Sequence, residues 1–219
     1  SANQKTGDLF LHNNPSMLIR IIFNSMITLK SLLTETLSDK FIKWFSGSDV
    51  VDSSGNPKIL YHGTNKPIDK FSPHRMGKSS NVFGTWEIKR YGIFLAEDEK
   101  LAHEFGPHIV SVYARCYDPL DLTKGIRDAT FNTMQDYVDS KGADGFSFAR
   151  FISKHAESSK TWKLFDEDEG NDPGYMIDIF KGMGYDGVII NEPSESDNIS
   201  NKVWVLFDPN QVGIVNGSV

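Results

Sequence analysis

His62 stands directly before Gly63 at the end of the short apolar run Lys58-Ile59-Leu60-Tyr61-His62-Gly63-Thr64. An imidazole at the end of a strand can hydrogen-bond a sugar hydroxyl, and a residue without Cβ lets a ligand amide come close to the backbone. Taken alone, a strand-end histidine is more often structural, so the pair needs support from the rest of the chain. Several other chemistries lack their residues. There is no GxxxxGK[ST] phosphate loop, no GxGxxG after a strand, no HExxH and no GxSxG. Cys116 is the single cysteine, which excludes an internal disulfide and a thiolate zinc cluster; with no base paired to it, it reads as a small buried hydrophobe. His74 and His108 sit beside prolines with no metal-ligand spacing between them. His103 and Glu104 read as exposed helix positions, and Asp166-Glu167-Asp168-Glu169 as a solvated acidic loop.

The elements that must position these residues are short. Strand-like runs fall at 58–64, 92–96, 109–117, 186–190 and 203–207, each closed by glycine, proline or polar residues. Asp98 is placed to cap a helix through Leu101, Ala102 and Phe105. Further helical segments are expected at 130–137, 146–155 and 175–183, the last stopped by Gly184. Residues 65–90 are polar with scattered Pro and Gly and read as a long loop, as do 191–200. Loops of such length in a compact domain are usually functional or disordered. Irregularly connected strands with few helices between them point to an α+β fold.

The chain has 219 residues, 39% hydrophobic and 24% charged, with 15 Phe and 4 Trp, enough to bury a sizeable core. We expect one catalytic domain over 38–215, a helical extension over 17–37 and a tag remnant or disordered segment over 1–16. Within the extension Leu29, Leu32 and Leu33 share a helical face. Phe41, Ile42, Trp44 and Phe45 cluster after Ser38-Asp39, and Gly47 is placed to end that helix. A net charge of −6 argues against a general electrostatic grip on nucleic acid. No run is long and apolar enough to span a bilayer.

Five segments in order carry a resemblance. FIKWFSGSDVVDSSGNPKILYHGT (Phe41–Thr64), GIFLAEDEKLAHEF (Gly92–Phe105), VYARCYDPLDL (Val112–Leu122), GYDGVII (Gly184–Ile190) and VWVLFDPNQV (Val203–Val212) are similar to the successive motifs of the ADP-ribosyltransferase superfamily. The resemblance is to its diphtheria-toxin/PARP-like (His-Tyr-Glu) branch, as found in phage polyvalent proteins and in bacterial toxins and effectors. It implies a split pair of small, antiparallel-rich sheets with surrounding helices and a cleft between. It also implies NAD⁺ as substrate, no metal, and transfer of ADP-ribose to a macromolecular acceptor.

The same resemblance assigns roles. His62 matches the histidine that holds the ribose, Gly63 the backbone that pairs with the nicotinamide carboxamide, and Thr64 adjoins them. Phe94 falls where the branch stacks a tyrosine on the nicotinamide, and Phe105 covers the other face. Arg75 and Lys78, in the long loop, meet the pyrophosphate. The glutamate that polarises the ribose 2′-hydroxyl falls on Val203, which cannot do that work. The replacement carboxylate is expected from the preceding loop, Glu195 first and Glu192 second, with Asp197 also there. A protein acceptor is favoured over nucleic acid by the acidic charge. Some effectors with such domains modify ubiquitin on a threonine, which makes ubiquitin one candidate. Two alternatives stay open: a module that binds NAD⁺ or a target without catalysing, and an NAD⁺ glycohydrolase.

Overall fold

The computed structural model describes residues 39–72, 90–166, 173–194 and 200–215. The chain divides into two units, Ser1–Trp44 and Phe45–Val219. Of the first, only the start of a short helix over 39–45 is described; there Phe41 and Trp44 rings tilt against each other, 5.9 Å apart. The tag segment and most of the helical extension lie outside the described residues. Gly47, at φ +83°, takes the left-handed conformation that stops the helix, as its position predicts.

The second unit is built on seven strands: β1 (Ile59–Thr64), β2 (Ile93–Ala96), β3 (His108–Ala114), β4 (Pro119–Asp121), β5 (Gly187–Pro193), β6 (Ser200–Leu206) and β7 (Val212–Ile214). Their order across the sheet is β4-β5-β6-β2-β1-β3-β7. All neighbours are antiparallel except β4 and β5, which run parallel. The expected pair of sheets is thus one sheet with a weak seam. β5 pairs β6 from Gly187↔Leu206 to Pro193↔Ser200, and β1 pairs β3 from Ile59↔Tyr113 to Thr64↔His108. Between these two halves, β1 meets β2 at the single position Tyr61↔Ala96. Beyond it the strands part.

Helices α1 (Glu99–His103), α2 (Asp128–Ser140), α3 (Gly145–His155) and α4 (Pro173–Gly182), with a 3₁₀ helix over Ser158–Phe165, supply the other layer. Leu101, Met134, Ile152, Leu164, Phe165 and Phe180 from these helices form one core with Val188, Ile190, Val203 and Val205 of the sheet. The opposite face buries Leu60, Leu95, Val112, Cys116, Trp204 and Leu206. Alternate residues of each strand therefore enter different cores, which is why β5 and β6 read as continuous apolar runs. Cys116 is fully buried, and its thiol donates to Asp186 Oδ1 at 3.0 Å. Burial, with Asp186 beside it, pushes the thiol pKa far up, so Cys116 is an inert core residue as expected.

Three elements went unpredicted. β4 and β7 have three residues each, too few for a periodic signal. The 3₁₀ helix SSKTWKLF opens on polar residues and is held by burial of Thr161, Leu164 and Phe165.

Candidate active site

Where β1 and β2 part, a cavity of about 350 Å³ opens at the seam. That is within the usual size of small-molecule pockets, about 300–1,000 Å³. Strand register decides what enters it from each side. Tyr61 pairs Ala96 and Ala96 pairs Val203, while Phe94 pairs Val205 and Ile190 pairs Val203. These side chains, with Gly63 and Glu192 at even offsets from them, face the helical core. His62 is one residue out of phase and faces the other way, where its ring meets Phe71 edge-on at 5.1 Å. The cavity reaches both faces because the sheet is open there.

His62 holds the parting strands. Its Nδ1 lies 2.9 Å from the carbonyl oxygen of Phe94. A carbonyl only accepts, so Nδ1 carries the proton and, in the neutral ring, Nε2 is an acceptor. Burial pushes the imidazole pKa below its ordinary value, against the opposing effect of the Phe94 carbonyl. The one N–H of the neutral ring is thus used on Phe94, which leaves Nε2 as an acceptor.

Gly63 is required by the packing of α1. A Cβ there would lie 1.7 Å from the carbonyl oxygen of Ala102 and 3.2 Å from Cβ of Phe105, so α1 packs directly on this glycine. Its ladder partner Ile109 lies on the β3 side, and no pair is formed on the β2 side. Thr64 lines the cavity, but its hydroxyl donates to the carbonyl of Lys66 at 3.1 Å and shapes the local turn. Asp98 caps α1 by accepting from Lys100 N at 2.8 Å, as its position predicts, and α1 delivers Phe105 to the cavity wall.

The strongest feature of the cavity is a charged group on which the sequence is silent. Arg90 lies within 5.2 Å of the Phe94 ring centre, 5.5 Å of Phe105 and 5.3 Å of Trp162. Its Nε donates to Asp166 Oδ1 at 2.7 Å and an Nη to Glu192 Oε1 at 2.5 Å. Phe94 and Phe105 do converge on one site, and the planar cation they both touch is the chain's own. Burial works against the Arg90 charge, but Glu192 and Asp166 outweigh it and raise its pKa. Asp166 is 8% exposed, which corrects the solvated-loop expectation for that residue; 167–169 lie outside the described residues. Glu104 is also half-buried and accepts from Ser194 Oγ at 2.6 Å, so it is not the exposed helix position expected.

Glu192 is the carboxylate at the cavity. The segment expected as a loop over 191–200 begins as strand: β5 runs on through Pro193, with Glu192 opposite Asn201. The strand fixes the residue two places beyond Ile190, the partner of Val203, and on the same face. Glu192 is 4% exposed, and its second oxygen, Oε2, is buried with no hydrogen-bond partner. Burial raises its pKa, opposed by Arg90 and reinforced by Asp166 and Glu104. Val203, where the branch's glutamate was expected, is buried in the cavity wall. Glu195, Asp197, Arg75, Lys78 and His74 lie outside the described residues. Lys66 and Lys70, unremarked in the sequence, line the cavity mouth. Among the described residues no group of three or more His, Cys, Asp or Glu could hold a metal ion, and no helix is long and apolar enough to cross a membrane.

Residues 52–218 match the model of the ADP-ribosyltransferase family found in polyvalent proteins, and the chain belongs to that family. Its members act as ADP-ribosyltransferases with NAD⁺ as substrate, and the mixed α+β sheet is that fold. No curated protein matches the chain. A crystal structure of an anti-CRISPR protein is similar at 17% identity, over 72% of this chain and 94% of that one, with a TM-score of 0.40.

Proposed function

We propose that this chain is a mono-ADP-ribosyltransferase that binds NAD⁺ in the seam cavity and transfers ADP-ribose to a protein acceptor. The observation that carries the proposal is the meeting, in one cavity, of His62 with an acceptor nitrogen and Glu192 with a buried, unpartnered oxygen. Two acceptors want two O–H donors, and the vicinal hydroxyls of a ribose supply them. The nicotinamide of NAD⁺ is a planar cation, and the aromatic wall of Phe94 and Phe105 already holds one planar cation against carboxylates. Gly63 offers its unpaired backbone edge to the carboxamide, and Lys66 and Lys70 meet the pyrophosphate.

In the reaction the ribosyl C1′–N bond breaks and its electron pair leaves with nicotinamide, which becomes neutral. Positive charge spreads over C1′ and the ring oxygen until the acceptor's nucleophile attacks C1′ and loses its proton. Arg90, Asp166 and Glu192 sum to one negative charge beside that position, preorganised to favour a developing cation. Val203 therefore does not end the chemistry, because the carboxylate comes from the neighbouring strand. This reverses the order expected from the sequence, and Glu195 becomes the second candidate.

The setting we propose is a bacterial toxin, secreted effector or phage-encoded modifier, acting in the cytoplasm of the cell that makes it or of a host; the net charge of −6 favours a protein target. Incubation with NAD⁺ alone, then with cell lysate and a labelled NAD⁺ analogue, tests the assignment. Label on a protein band supports transfer, nicotinamide release without acceptor shows a glycohydrolase, and binding without either shows an inactive module.

A further inference from the structure

Arg90 is fixed from several directions. Its backbone bridges Asp166, and the next residue donates from Tyr91 N to the carbonyl of Phe165 at 3.2 Å. Its side chain is clamped between Asp166 and Glu192. An arginine that only neutralises a buried acid usually presents its fork to both oxygens of one carboxylate. Here the fork is divided between two acids. One Glu192 oxygen accepts from Arg90 and the other, although buried, has no partner. Leaving a buried carboxylate oxygen unpartnered is costly for a structural ion pair, and it is what a site awaiting a donor requires.

We infer that Arg90, anchored by Asp166, is a positioning residue that holds Glu192 as a carboxylate with Oε2 open to an incoming hydroxyl. The part of this that concerns the hydroxyl rests on the NAD⁺ assignment above; the part that concerns Glu192 does not. Among the described residues, the charged groups facing Glu192 are Arg90 before β2, Asp166 after the 3₁₀ helix and Glu104 after α1, with His62, Lys66 and Lys70 on the cavity walls. Of these, Arg90 alone opposes the burial of Glu192 from within hydrogen-bonding distance. Without it, Glu192, buried and beside two acids, takes up a proton. A protonated acid neither supports a ribosyl cation nor accepts as strongly from a hydroxyl. Lysine offers one point charge and cannot span both acids as the fork does.

The test is a carboxyl titration of the full chain labelled with ¹³C-glutamate, with the Glu192 signal assigned by its loss in Glu192→Gln. In Arg90→Gln the Glu192 midpoint is expected to rise by at least about one pH unit, and in Arg90→Lys by less. In Asp166→Asn, which removes a neighbouring negative charge, it is expected to fall. Opposite shifts from two variants of one cluster are a signature that loss of folding, which returns both to the ordinary carboxylate value, does not give. NAD⁺ turnover is read on the same proteins. The acid limb of kcat should move to higher pH in Arg90→Gln, with KM for NAD⁺ changed less than kcat. Guanidinium ion, but not sodium at equal ionic strength, should restore part of kcat to Arg90→Ala. An unchanged Glu192 midpoint in Arg90→Gln, or shifts of the same sign in Arg90→Gln and Asp166→Asn, overturns the inference. If the parent turns over no NAD⁺, the transferase assignment fails, and the titration still decides the role of Arg90.

Discussion

At the scale of single residues, what the cavity can bind depends on which atoms keep a free lone pair. His62 has spent Nδ1 on Phe94, so His62→Ala removes one acceptor and the tie between β1 and β2. We expect turnover to fall at least about tenfold, roughly 1.4 kcal/mol of transition-state stabilisation. Steady-state rates read beside a thermal melt check this; full activity would make the residue structural. His62 also carries a pH signature. Its pKa is held below 6.5, so between its folded value and 6.5 the unfolded chain binds the proton that the folded chain refuses. The contribution is fully present above about 6.5 and is lost as pH falls through the folded value. The parent's melting temperature should therefore drop more than that of His62→Gln as pH goes from about 7 to about 5. Glu192→Gln keeps the shape and removes the charge. NAD⁺ binding should survive while turnover falls about a hundredfold or more, as for loss of one preorganised electrostatic group. Glu195→Gln is the comparison, and a loss confined to that variant would move the carboxylate to the loop.

The residue scale also shows what was legible in the chain. His62 and Phe94 lie on short apolar runs that read as strands, and Phe105 follows the helix that Asp98 caps, but it is the resemblance that singles the three out. Arg90 and Asp166 stand in polar stretches, and polarity reads as exposure unless a partner distant in sequence is known. Their partners lie 76 and 102 residues from Arg90, so no local signal existed. Glu192 follows the Val188–Ile190 run, and β5 continues through Pro193 and carries it to the cavity as part of a strand, whereas Glu195 lies outside the described residues.

At the scale of elements, the cavity depends on how β1 and β2 enter their seam. Gly92 turns the chain from Arg90 into β2 at φ +108°, and a Cβ there would lie 2.5 Å from Cγ1 of Val205. Gly92→Ala meets strain and a clash together, and we expect a loss of about 1–3 kcal/mol in stability. Denaturant unfolding measures it, and a variant as stable as the parent would show that the turn is not strained. The strands whose two faces enter two cores were found from their continuous apolar runs. β4 and β7 were not, because pairing to β5 and β3 defines them and nothing within their three residues does. The single seam pair Tyr61↔Ala96 was equally invisible, although it is what turns one sheet into two walls of a pocket.

At the scale of the molecule, a helical layer packs on one face of the sheet and shares a core with the strands that wall the site. Phe180 of α4 is fully buried between Phe165 and Phe207, with ring centres 6.0 and 6.3 Å away. Phe180→Ala should cost about 3–5 kcal/mol, read as a shift of the denaturant midpoint, and the neighbouring Phe165 places that loss beside the 3₁₀ helix that carries Asp166. The proposed NAD⁺ site in this cavity is tested most directly by calorimetric titration of the full chain with NAD⁺ and, separately, with nicotinamide. Saturable NAD⁺ binding that persists in Glu192→Gln and weakens in His62→Ala is the expected result. No detectable binding of either compound at millimolar concentration would contradict it.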